Sequence, residues 1–144
     1  MTIRVAFRYN DPRIFARLVC FVRGGDSAHC EASDRWEQES HSCVSSSFLD
    51  HGVRRKQLVL APDKWRIYEI PEPTEAVAEW YRKNAGKGYD LLGLLGFFVR
   101  RISGEPNKYF CSEAVASMLR LPNPWAYDLM LLESVCAKIG TRVQ

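Results

Sequence analysis

The fold depends above all on residues 109–119, YFCSEAVASML. Apolar side chains recur in this stretch at steps of three and four residues, so the spacing predicts a helix with one face packed inward. Loop-forming residues occupy 103–107, which places the start of the helix near Tyr109 or Phe110. Cys111 therefore falls in the first turn. There, unpaired backbone N–H groups and the helix dipole favour the thiolate, the nucleophilic form of cysteine.

A cysteine nucleophile needs a base, and the candidates are three histidines, His29, His41 and His51. His29 lies in a short segment after a glycine turn. If that segment is extended, His29 and Glu31 share one face of the strand, and Cys30 points to the other. We predict that Cys30 packs as a small apolar side chain, and that His41 and His51 lie in polar loops in contact with solvent. Cys111 could equally be a buried, unreactive side chain.

The remaining sequence predicts a run of strands together with several helices. The strands are predicted over 2–9, 28–33, 43–48, 57–60 and 65–70, and the helices over 11–22, 74–84, 89–99 and 127–138. The turn between the second and third strands, residues 34–42, is predicted to be long. Sequential strands without regular strand–helix alternation favour an α+β fold with a mostly antiparallel sheet. A length of 144 residues suits a single domain spanning 1–144.

Several short motifs also occur in a characteristic order. They are Ser27-Ala28-His29-Cys30-Glu31, Ser45-Ser46-Ser47, Asp50-His51-Gly52-Val53-Arg54, Trp65, Gly88-Tyr89-Asp90-Leu91-Leu92-Gly93 and Phe110-Cys111-Ser112-Glu113. The ordered set resembles the circularly permuted NlpC-type cysteine peptidases, papain-like proteins in which the histidine strand precedes the cysteine helix. The lecithin:retinol acyltransferase-like enzymes share this arrangement, and small members are common among phage and prophage proteins. The resemblance spans roughly residues 25–135 and implies a permuted papain-like fold, with the sheet packed against the cysteine-bearing helix.

The resemblance implies specific roles for several residues. Cys111 would be the nucleophile and His29 the general base, and Glu31 would orient the histidine, as in the His-x-Glu pattern of related permuted members. The alternatives for this third residue are Ser45, Ser47 and His41. The predicted substrate contacts are Tyr109, Ser45 and Tyr89.

The implied activity is that of a cysteine peptidase or amidase. It would hydrolyse an amide bond in a peptidoglycan stem peptide or a similar small peptide, through an acyl-enzyme on Cys111. One alternative is an acyltransferase or esterase acting on a lipid or thioester, and another is a non-catalytic phage structural or binding module. A zinc site is disfavoured because His29 and Cys30 are neighbours on a strand and point to opposite faces. We therefore predict no metal and no cofactor.

Composition narrows the range of partners. The net charge is +3, and the basic runs 54–56 and 100–101 are interpreted as solvated faces, so no nucleic acid is predicted. The most apolar run, residues 89–99, is shorter than the ~20 residues that span a bilayer, so no integral membrane segment is predicted. The expected partner is a small peptide or peptidoglycan fragment, or alternatively an acyl-lipid.

The five cysteines, an odd number, and the absence of a signal-like segment at residues 1–9 favour a reducing cytoplasm. An enzyme acting on the cell wall would then reach its substrate on lysis or as part of a virion.

Overall fold

A six-stranded antiparallel sheet forms the centre of the protein. The computed structural model describes residues 1–13, 16–17, 26–90 and 108–144. The strands are β1 (Ile3–Tyr9), β2 (Ser27–Glu37), β3 (Ser40–Ser47), β4 (Gly52–Val59), β5 (Trp65–Ile70), β6 (Gly88–Tyr89), β7 (Lys108–Tyr109) and β8 (Thr141–Arg142). The order in the central sheet is β4-β3-β2-β1-β5-β8. The helices are α1 (Glu75–Asn84), α2 (Cys111–Met118) and α3 (Leu129–Ile139), with a 3₁₀ turn at Pro124–Ala126. The predicted α+β class with an antiparallel sheet is confirmed.

The main core lies between one face of the sheet and the helices. Because side chains alternate along a strand, every second residue of β1, β2 and β3 faces the helices. These strand residues and the apolar face of α2 share one cluster, whose members include Val5, Phe7, Cys30, Ala32, Val44, Ala114, Val115 and Met118. A smaller cluster on the opposite face contains Ala6, Cys43, Leu60, Trp65 and Ile67. The cysteine-bearing helix is therefore seated directly against the strand that carries His29.

The hairpin between β2 and β3 is tighter than predicted. Both strands continue through the 34–42 region to a turn at Gln38 and Glu39, where Gln38 adopts a positive φ of 52°. The prediction of a long loop is wrong because residues 35–37 pair with residues 40–42 in the sheet, and Asp34, His41 and Ser42 are buried there. His41 is 2 % exposed, its Nε2 accepts a hydrogen bond from Arg4, and its ring stacks on Trp36, so its predicted solvated position is also wrong.

The predicted helices differ from the structure mainly at their ends. Helix α1 follows Thr74, but the Thr74 side chain makes no capping hydrogen bond. Helix α3 starts two residues later than predicted, where the Asp128 carboxylate accepts from the Leu131 N–H. Tyr89 belongs to a strand instead of opening the helix predicted over 89–99, whose remainder from residue 91 onward lies outside the described residues. Most of the helix predicted over 11–22 also lies outside them.

A short parallel pairing positions the start of α2. β6 pairs with β7 so that Tyr89 lies opposite Tyr109, two residues before Cys111. The Ser46 hydroxyl of β3 donates to the Tyr109 carbonyl, which ties this segment to the sheet. Among the helices of the described ranges, none is both long enough and apolar enough to cross a membrane.

Candidate active site

Cys111 is the first residue of α2, with Phe110 in extended conformation at the N-cap. The helix therefore begins within one residue of the predicted position. Cys111 is 6 % exposed, and the thiol and backbone N–H of Cys30 lie next to its sulfur, where they lower its pKa. The His29 imidazole also lies beside this sulfur and lowers the same pKa. The structure thus brings together the cysteine and the histidine that sequence reasoning selected.

The strand that carries His29 and Cys30 is irregular just before these residues. Arg8 pairs with His29, but the next residue of β1, Tyr9, pairs with Ser27, so Ala28 is an extra residue in β2. Such a β-bulge breaks the strict alternation of side chains locally. His29 and Cys30 themselves pair regularly with Arg8 and Phe7, and both lie next to the Cys111 sulfur. The prediction that Cys30 merely packs missed this contact.

Glu31 occupies the position beside the imidazole. His29 Nε2 lies 2.6 Å from Glu31 Oε1, and Nδ1 is then the ring nitrogen left for Cys111. The Glu31 side chain is fully buried, and the His29 side chain is 19 % exposed. A buried carboxylate in this position can hold the imidazole in one orientation and stabilise its protonated form.

Arg54 compensates the buried charge of Glu31. Its Nη1 lies 2.7 Å from Glu31 Oε2 and its Nη2 2.5 Å from Oε1, while its Nε donates to Asp50 at 2.9 Å. Such a two-pronged contact is the strong form of a charge-assisted hydrogen bond. Arg54 lies in β4 and Glu31 in β2, and Ser45 of the intervening β3 pairs directly with Arg54. The small serine leaves room for the guanidinium to reach across one strand.

The charges at the site favour a thiolate beside an imidazolium. Hydrogen bonds from Cys30 and from His29 hold the pKa of Cys111 well below its ordinary value, despite burial. Burial alone would lower the pKa of His29, but the Glu31 charge and the contact with Cys111 raise it to about 9. Burial alone would raise the pKa of Glu31, but His29 and Arg54 together lower it. These pKa shifts all favour the ionised forms, a Cys111 thiolate and a Glu31 carboxylate on either side of a His29 imidazolium.

Replacing Glu31 by glutamine is expected to lower the pKa of His29 from about 9 towards its ordinary value of about 6.5. Glutamine keeps the size of the side chain but removes the negative charge that favours the imidazolium. Burial, which disfavours the imidazolium, is then no longer opposed by that charge. A pH titration of the imidazole resonances by NMR measures the change. His41 serves as the internal reference, since burial lowers its pKa without any contact with Glu31. A His29 pKa that stays near 9 in Glu31→Gln would contradict this account of the site.

The other residues predicted for the site lie in different surroundings. Ser45 is fully buried, and its hydroxyl donates to the Cys30 carbonyl at 2.7 Å, so it supports the strand instead of contacting His29. His41 is bonded to Arg4, away from His29. Tyr109 is half-buried with its ring centroid 5.1 Å from that of Trp80. Of the alternatives for the third residue, Glu31 is the one that the structure brings to the imidazole.

A cavity of about 280 Å³ opens beside His29. Its wall includes Glu31 and Arg54, together with Ser47, Phe48 and Leu49 at the end of β3, and Tyr89. Of the three predicted substrate contacts, Tyr89 lines this cavity, whereas Ser45 and Tyr109 are not among the described residues of its wall. Cys111 is also absent from the described wall, so this cavity borders the imidazole and not the sulfur.

Arg54 is the residue that sequence reasoning missed. The basic run 54–56 was interpreted as a solvated face, but each member contacts a carboxylate: Arg54 binds Glu31 and Asp50, Arg55 binds Asp34, and Lys56 binds Asp50. The Arg54 side chain is only 15 % exposed. The available signal was the serine run 45–47, since small residues on a central strand allow long side chains to cross it.

Two comparisons with known proteins accompany this geometry. The chain matches no model of a known protein family, and it matches no curated protein.

Within the described ranges, no group of three or more His, Cys, Asp or Glu side chains is arranged to hold a metal ion.

Proposed function

We propose that this protein is a cysteine-dependent hydrolase that cleaves an amide bond in a small peptide, such as a peptidoglycan stem peptide. The observation that carries the proposal is the chain of contacts from Cys111 to His29 to Glu31, with the thiol at the start of a helix. Nucleophile, base and orienting carboxylate in hydrogen-bond contact form the arrangement that activates a cysteine. We also propose the permuted NlpC-type papain-like fold, which the order of histidine strand and cysteine helix around an antiparallel sheet supports.

The proposed reaction follows from the charges of the resting site. The Cys111 thiolate attacks the carbonyl carbon of the substrate, and the carbonyl oxygen becomes an oxyanion. The backbone N–H of Cys111 is placed to stabilise it, because the first N–H groups of a helix have no partner within that helix. The His29 imidazolium gives its proton to the leaving amine as the carbon–nitrogen bond breaks, and a thioester on Cys111 remains.

The second half of the reaction uses the same groups in reverse. Neutral His29 takes a proton from water, and the hydroxide attacks the thioester carbonyl. The carbon–sulfur bond breaks, the carboxylic acid product leaves, and the thiolate–imidazolium pair is restored. The Glu31 carboxylate holds the imidazole in place throughout.

The experiment that tests this function detects the thioester directly. The protein is incubated separately with a peptide amide of the stem-peptide type and with aryl esters of short and long acyl chains. Each reaction is quenched in acid, and the mass of the intact protein is measured by mass spectrometry. We expect an acyl adduct on wild-type protein, located at Cys111 by peptide mapping, and none on Cys111→Ala. Absence of any adduct, together with slow alkylation of Cys111, would instead favour a non-catalytic binding module.

An acyltransferase or esterase acting on a lipid or thioester is the second candidate. It is favoured by two apolar side chains of the cavity wall, Phe48 and Leu49, which are 40 % and 60 % exposed. Exposed apolar side chains beside a cavity suit an acyl chain. In the same experiment, a long-chain ester that acylates Cys111 much faster than the peptide amide would select this candidate.

A further inference from the structure

A second thiol contacts the proposed nucleophile and has no part in the proposed reaction. The thiol and backbone N–H of Cys30 lie next to the sulfur of Cys111 and lower its pKa. Both residues belong to the core between β2 and α2, where Cys30 is fully buried. An apolar side chain at residue 30 would fill this core equally well. A thiol offers something that an aliphatic group cannot, namely oxidation to a bond with Cys111.

We propose that Cys30 and Cys111 form a reversible disulfide when a hydroperoxide oxidises the site, which switches the nucleophile off and protects it. The inference rests on the proposed function, because it takes Cys111 to be the reactive thiolate. The structure holds both residues as free cysteines, so it represents the reduced form of the pair.

The oxidation balances in two steps. In the first, the Cys111 thiolate attacks one oxygen of the hydroperoxide, the O–O bond breaks, and Cys111 becomes a sulfenic acid while hydroxide or alkoxide leaves. In the second, the Cys30 sulfur attacks the Cys111 sulfur, the S–O bond breaks, and the S–H proton of Cys30 leaves with the hydroxyl as water. The pair loses two electrons and the peroxide gains them. A dithiol reverses the change by thiol–disulfide exchange.

The two cysteines differ in the way that this sequence of steps requires. Hydrogen bonds from Cys30 and His29 lower the pKa of Cys111, which makes it the attacking thiolate. Burial raises the pKa of Cys30, so it stays a neutral thiol and reacts only with a sulfur already in contact with it. The Cys111 side chain is 6 % exposed, which admits a small peroxide more readily than a bulky thiol such as glutathione.

The test treats the reduced wild-type protein with a slight excess of hydrogen peroxide, blocks remaining thiols with iodoacetamide, and maps the peptides by mass spectrometry. We expect an intramolecular Cys30–Cys111 cross-link, recognised by the loss of two hydrogen atoms, and full recovery of the Cys111 thiol with dithiothreitol. In Cys30→Ala, we expect Cys111 to proceed to the sulfinic acid, which dithiothreitol does not reverse. Cys43→Ala is the matched control, because Cys43 is equally buried but lies in the cluster on the opposite face of the sheet.

The possible outcomes separate this inference from the proposed function. If Cys111 alkylates rapidly but oxidises irreversibly in wild type, without a cross-link to Cys30, the disulfide is ruled out and the function stands. If Cys30→Ala and Cys43→Ala recover equally, the protective role of the disulfide is ruled out. If Cys111 reacts with neither iodoacetamide nor peroxide, both the inference and the proposed function fail. The wild-type cross-link is decisive by itself, so the test does not depend on the folding of a variant.

Discussion

Replacing His29 by asparagine is expected to slow the alkylation of Cys111 at pH 6.5 by roughly 10- to 100-fold. At that pH an ordinary thiol, with a pKa of about 8.5, is only about 1 % ionised. Cys111 is held as a thiolate by contacts that include a protonated His29, whose pKa is raised to about 9. Asparagine can still donate a hydrogen bond to Glu31, but it carries no positive charge. The rate of iodoacetamide incorporation, followed by peptide mass spectrometry, measures the effect.

Two controls make this result specific. His51→Asn changes an exposed histidine at a positive φ of 61°, a conformation that asparagine tolerates, and it should leave the alkylation rate unchanged. Cys136 is an internal reference, because burial raises its pKa to about 12 and it should react slowly in every variant. If Cys111 in wild type reacts as slowly as Cys136, or if His29→Asn has no effect, the thiolate–imidazolium pair does not exist.

Replacing Arg54 by methionine is expected to lower the free energy of unfolding by about 3 kcal/mol at pH 7. Methionine keeps the length and apolar stem of the side chain but leaves the fully buried Glu31 with His29 as its only described cationic contact. Removing one partner of a buried ion pair is costly because the other charge stays buried without its compensation. Urea unfolding followed by circular dichroism measures the change as a shift in midpoint at constant slope.

The control for Arg54 is an ion pair on the surface. Lys83 lies 3.0 Å from Glu79, and their side chains are 66 % and 45 % exposed, so Lys83→Met should change stability by no more than about 0.5 kcal/mol. The double variant Glu31→Gln with Arg54→Met should recover part of the loss, because no uncompensated carboxylate remains. Equal effects of Arg54→Met and Lys83→Met would show that the contact with Glu31 contributes little.

The parts of the site that follow from local periodicity were predictable. A loop followed by a helical repeat placed Cys111 at the start of a helix, and the two-residue period of a strand placed Glu31 on the same side as His29. The α+β class followed from the succession of strands and helices. Each of these inferences needs only residues that are close together in the sequence.

The contacts that cross strands could not be predicted in the same way. Arg54 reaches Glu31 because three strands lie in a particular register, with Ser45 between them. The bulge at Ala28 directly precedes the two residues, His29 and Cys30, that lie next to Cys111. Neither the register nor the bulge leaves a local pattern. The polar residues 34–42 were similarly misleading, because they resemble a loop until their partners in neighbouring strands are known.

The guanidinium that crosses β3 links positions 31, 45 and 54, so that a change at one of them affects the other two. The acidic residue at 31 is compensated in the core by the cation at 54, which reaches it past the small side chain of Ser45. If Glu31 were lost, the residues at positions 45 and 54 would be free to change. A bulkier residue at position 45 would instead keep Arg54 from Glu31, so both charged residues would become unfavourable. Glutamate, a small residue and arginine at these three positions should therefore covary among descendants of this chain. Their joint presence would mark those that keep the charged site.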